Sequence, residues 1–122
     1  MGVILEPHDD TTDLMVNWWN WRPTVALLLR AGVIPDDLAE RMHAGVGAAD
    51  VSADQALAMA EVVHTLAADL AEGERVLLDG TVTDRPPAHD HLPVEYDWYG
   101  AHRDWLRSFA DFCRRSGGFT PL

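Results

Sequence analysis

The stretch WYGAHRDWLRSFADFCRR, residues 98–115, decides the fold. Trp98, His102, Trp105, Leu106, Phe109, Phe112 and Cys113 recur in it at three- and four-residue steps. That period stacks side chains on one flank of a helix. Arg103, Arg107, Asp111 and Arg114 fall on the opposite flank. No other segment puts so much aromatic surface on one face, so the spacing predicts a helix over 98–115 against which the rest of the chain packs. Arg114 and Arg115 suit its negative end. Gly117 suits the left-handed cap, after which Phe119 folds back onto the apolar flank.

Working outward, the tail Phe119 to Leu122 and the head Gly2 to Glu6 are both short and extended in character. Strands this short survive only by pairing, so they are expected to pair with each other, antiparallel. His8 to Asp13 reads as a polar acidic loop. Pro23 fits the first turn of a helix and biases Arg22 away from helical geometry, which places a first helix at Pro23 to Ala31 with Gly32 as its stop. A second runs from Pro35 to Ala44, its first turn loaded with Asp36 and Asp37. Ser52 and Gln55 form a capping box that opens a third, reaching Leu70 or Glu72. Val76 to Leu78, Asp79-Gly80 and Thr81 to Thr83 have the form of a tight hairpin, with a final helical turn through Leu77 and Leu78 as the rival reading. Asp84 to Pro93 holds three prolines and reads as a loop. The expected architecture is mainly α: one domain, a compact bundle of about four helices, with a small antiparallel β element joining the two ends.

Composition narrows the functional field. The chain has 122 residues, 48% of them hydrophobic, enough for one domain with its own core. Twenty acidic residues against nine basic ones give a net charge of −11. That field repels nucleic acid and anionic membranes and favours a basic partner. No apolar run approaches a membrane span and no signal peptide is recognisable at the start, which points to the cytoplasm. Cys113 is the single cysteine, so no intrachain disulfide forms.

The stretches NWWNWRP (17–23), GERVLLDGTVTD (73–84) and LRSFADFCRRSGGF (106–119) resemble a family of small bacterial proteins that carry no assigned activity. The resemblance implies one autonomous domain and lends no site residues.

Four side chains are candidates for ligand binding. Trp18, Trp21 and Arg22, beside Asn17 and Asn20, could line a pocket suited to a sugar ring, a cation or an anionic group. His102, on the expected apolar flank, could move a proton there. Against this, indoles usually bury and a lone histidine usually donates to a carbonyl. His89 and His91 are spaced to share a divalent metal, with Glu95 and Asp97 nearby as further oxygen ligands. His8, with Asp9 and Asp10, is a weaker version of the same pattern. Cys113 reads as a buried small hydrophobe, and Glu61 with His64 as a solvated pair on a helix surface. No nucleotide-binding loop, CxxC, HExxH or GxSxG motif occurs. The sequence therefore favours an acidic interaction or accessory protein without chemistry of its own, such as an immunity-type inhibitor of a basic enzyme. A Trp-lined small-molecule or enzymatic pocket stands second, and a metal site third.

Overall fold

The computed structural model describes residues 2–85 and 99–122. In chain order the elements are β1 (Gly2–Pro7), β2 (Leu14–Asn17), α1 (Trp18–Arg30), α2 (Asp36–Ala44), α3 (Ala53–Ala68), β3 (Arg75–Leu77) and β4 (Val82–Thr83). They are followed by β5 (Gly100–His102), α4 (Arg103–Arg115) and β6 (Phe119–Pro121). The mainly α expectation is overturned. Four helices are present among the described residues, but they pack with two three-stranded antiparallel sheets, in the orders β2-β1-β6 and β4-β3-β5. The fold is mixed α/β.

The expected joining of the ends is there: β1 pairs with β6, with Leu5 opposite Pro121 and Pro7 opposite Phe119. What the sequence reading lacked is β2, which pairs along the other side of β1 with Val3 opposite Val16. The alternation along β1 and β2 is clean. Val3, Leu5 and Val16 face the core, while Ile4 and Met15 face out. In the second sheet a hairpin forms with shifted arms: β3 starts one residue earlier than expected and β4 one later, and the turn spans Leu77 to Gly80, closed by a Gly80 N–H to Leu77 carbonyl bond of 2.9 Å. Its third strand, β5, comes from the segment assigned above to the last helix.

That helix, α4, starts only at Arg103, yet it is the wall the sequence implied. Leu106, Phe109, Ala110, Phe112 and Cys113 are buried. Phe109 is a hub: Trp21 and Phe119 meet it edge-on, each with centroids 6.0 Å away, and Trp105 lies tilted at 5.5 Å. Edge-to-face contacts of this kind add about 0.5–1.5 kcal/mol each beyond area burial. α3 lies along α4. It turns Ala56, Ala60 and Ala67 inward, and such small side chains permit close approach.

α1 departs from expectation at its start. It opens at Trp18 rather than Pro23, because Asn17 caps it: Asn17 Oδ1 accepts the Asn20 N–H at 2.9 Å. Pro23 sits inside the helix and lacks the N–H that would bond to the Trp19 carbonyl. Burial of Trp21, Val25 and Leu28 on one face outweighs that loss. The capping box of α3 is as expected, with Gln55 N–H to Ser52 Oγ at 3.2 Å and Ser52 N–H to Gln55 Oε1 at 3.0 Å. α3 ends earlier than expected, at Ala68, and Leu70 stays buried beyond it.

Candidate interaction surface

The first turn of α1 directs its side chains in two directions. Trp18 and Arg22 are four residues apart and share the outer flank. Trp21 points inward, is fully buried, and donates Nε1–H to the Met42 carbonyl at 3.0 Å. Tyr99, at the entrance to β5, closes the arrangement from across the molecule. The Arg22 guanidinium carbon lies 5.4 Å from the Trp18 ring centre and 5.4 Å from that of Tyr99. The cation is therefore held by two aromatic faces at once. Trp19 also packs against Tyr99, centroids 4.7 Å apart, and remains 42% exposed. Trp18, Trp19, Arg22 and Tyr99 form one aromatic–cationic platform at the surface.

Hydrogen bonds fix the helix that carries the platform to β5 and to α4. Asn20 Oδ1 accepts the backbone N–H of His102 at 3.0 Å, which ties α1 to β5. Thr24 Oγ1 donates to the Asn20 carbonyl at 2.7 Å and accepts Nε1–H of Trp105 at 2.8 Å. Beside β5, the buried Arg75 side chain crosses Gly100, where an added Cβ would lie 2.7 Å from Nη1. Its Nη2 donates to the Arg85 carbonyl at 3.3 Å. Burial, and then the Arg75 charge, hold the His102 imidazole below its usual pKa, with Asp104 opposing. Burial, and then Arg22, do the same for His43. Both effects favour the neutral rings near pH 7.

The four sequence candidates separate. Trp18 and Arg22 meet. Trp21 belongs to the core. His102 is not on the apolar flank of a helix: it is the last residue of β5, exposed, and stands at the N-cap position of α4 without a side-chain cap bond. His89 and His91 lie outside the described residues, as do Trp98, Glu95 and Asp97. Among the described residues no group of three His, Cys, Asp or Glu could hold a metal. The sequence reading missed Trp19 and Tyr99 as platform members. Trp19 could have been found from its place in the Trp cluster, but nothing in the sequence brings Tyr99 beside it.

One constellation needed the structure to be seen. His8 Nε2 lies 2.7 Å from Asp50 Oδ1 and 3.3 Å from Thr120 Oγ1, and Thr120 Oγ1 is 3.2 Å from Asp50 Oδ1. Both partners converge on the same ring nitrogen. A hydroxyl–imidazole–carboxylate relay needs the hydroxyl and the carboxylate on opposite nitrogens. The trio therefore ties the loop after β1 to β6 and does not activate a nucleophile.

Three grooves are lined by described residues: about 460 Å³ along β1 and β2, about 430 Å³ between α1 and α3, and about 340 Å³ between α3 and α4. None of these three is lined by Trp18, Trp21, Arg22 or His102. Cys113 is 1% exposed, and burial pushes its thiol far above the ordinary range. Its labelling by a thiol reagent at pH 8 should be at least about 100-fold slower in buffer than in concentrated urea. Equal rates would show that α4 does not seal that side of the core.

No family model, curated protein or solved structure matches the chain. Among the described residues no helix is long and apolar enough to cross a membrane.

Proposed function

We propose that the chain is a small acidic interaction domain that binds a basic partner protein, with the platform at the start of α1 as its anchor. The observation that carries this reading is Arg22 held between Trp18 and Tyr99 beside the exposed Trp19. Trp, Tyr and Arg are the residue types that dominate binding energy at protein interfaces, and a preorganised Arg loses little freedom on contact. The net charge of −11 supplies long-range attraction for a basic surface. A cytoplasmic setting accords with the single, buried cysteine.

A small-molecule pocket at the same residues ranks lower. Arg22 already occupies faces of Trp18 and Tyr99 that a cationic or sugar ligand would need, and Trp21 is sealed in the core. The test is a photo-crosslinking amino acid at position 19, compared with the same group at Leu57, an exposed position on α3. In lysate of the source organism, position 19 should form a discrete adduct with a basic protein. The adduct should weaken as salt rises from 50 to 300 mM and vanish on Arg22→Ala. The same adduct from both positions, or none from position 19, defeats the proposal.

A further inference from the structure

The order β2-β1-β6 leaves β2 at an open edge among the described residues. Ile4 and Leu122 exchange backbone bonds, Leu122 N–H to the Ile4 carbonyl at 2.8 Å and the reverse at 3.5 Å, so the polar groups of Ile4 point toward β6. By alternation, Val3 and Leu5 bond to Val16 and Leu14, and the N–H and C=O of Met15 face away from the sheet. Natural edges are usually guarded by Lys, Pro or a bulge. Leu14-Met15-Val16-Asn17 has neither Lys nor Pro, and its register with β1 runs without interruption.

The outward face next to this edge is divided in two. Ile4 and Met15, cross-strand neighbours, are exposed at 39% and 75%, and they line the groove of about 460 Å³ with Gly2 and Asn17. Two residues further along β1, Glu6 is exposed like Ile4, and the exposed Asp13 immediately precedes β2, with Asp9 and Asp10 in the loop between the strands. None of these four carboxylates is ion-paired among the described residues, and residues 1–21 contain no Lys or Arg. The apolar end asks for an apolar side chain, and the acidic end asks for a cation two residues away on the same face of an added strand.

We propose that β2 is the docking edge for an extended segment of a basic partner, which adds as a fourth strand with an aliphatic residue beside Met15 and Ile4 and a Lys or Arg, two residues on, against Asp13 and Glu6. This rests on the basic-partner reading and names where and how that partner is gripped. Main-chain bonds supply affinity in such additions, and alternate side chains supply the selection.

The probe is the capped heptapeptide Lys-Thr-Val-Thr-Lys-Thr-Val, titrated into the ¹⁵N-labelled full chain, with a version carrying Glu for Lys as control. The Lys peptide should shift the amides of Asp13 to Val16 and of Ile4 and protect the Met15 amide from hydrogen exchange. Its affinity should fall at least about fivefold between 50 and 300 mM salt. The Glu peptide should bind at least about tenfold more weakly. Met15→Pro removes the outward N–H and the exposed Met side chain, both on the open edge, so it should leave the dispersed spectrum intact and abolish binding. Equal binding of the two peptides, no binding of either, or a concentration-dependent dimer that blocks both would overturn the proposal. Shifts confined to Trp18, Trp19 and Arg22 would also overturn the edge, while leaving the platform reading in place.

Discussion

Trp21→Ala should cost about 3–5 kcal/mol, the range for truncating a fully buried aromatic side chain. Trp21 is inaccessible, packs edge-on against Phe109, and donates to the Met42 carbonyl on α2. Truncation opens a cavity at the hub of the core and leaves that carbonyl without its indole donor, which itself costs about 1–3 kcal/mol when buried. Domains of this size are stable by about 5–15 kcal/mol, so the variant should melt at least about 10 °C lower or fail to fold at 37 °C. Trp21→Phe keeps most of the volume and the contact with Phe109 but loses the N–H, and should cost about 1–3 kcal/mol. Urea unfolding followed by far-UV circular dichroism measures both. A cost below about 1 kcal/mol for Trp21→Ala would mean that α1 and α2 are not joined through this indole.

The second large effect is Gly118→Ala. Gly118 has φ +102°, a backbone region closed to side chains that carry a Cβ. An added Cβ would stand 2.5 Å from the Val51 carbonyl oxygen, 2.7 Å from His8 Nδ1 and 3.1 Å from the Ala53 nitrogen. Two of these are backbone atoms and cannot swing aside. Gly118 also accepts the His8 N–H at 2.9 Å and donates its own N–H to Ser116 Oγ at 3.1 Å, so its peptide planes are pinned from both sides. The expected cost is about 3 kcal/mol or more. Gly73→Ala is the comparison: φ is +85°, but nothing lies within 4 Å of the added carbon. That change carries backbone strain alone, about 1–2 kcal/mol. Equal thermal shifts for the two variants would show that crowding at Gly118 does not contribute.

What the sequence disclosed, and what it withheld, follows one physical division. Patterns with a local cause were legible. The apolar flank of α4, the Ser52–Gln55 capping box and the presence of a hairpin around Asp79-Gly80 each arise from residues within one or two turns of each other. The two strands that run straight into helices, β2 and β5, were not legible. β2 has four residues and β5 three, too few for a period of two to stand out, and both run straight into a helix with no turn residue between. Gly100-Ala101-His102 was therefore absorbed into the helical pattern that follows it, which carried His102 to a flank it does not occupy. The shift to a mixed α/β fold comes from these two strands. The platform was half legible for the same reason. Trp18 and Arg22 are neighbours through helical spacing, whereas Tyr99 joins them only because β5 is held to Asn20.

Asn17 ends β2, and its side chain caps α1. No residue separates the two elements, so the last peptide of the strand is also the cap of the helix. A chain clasped along Asp13 to Val16 would pull on the same peptide that sets the tilt of Trp18 and Arg22. Were the edge gripped, the posture of the stacked rings would be set through that shared peptide, and one encounter would be registered in two places at once.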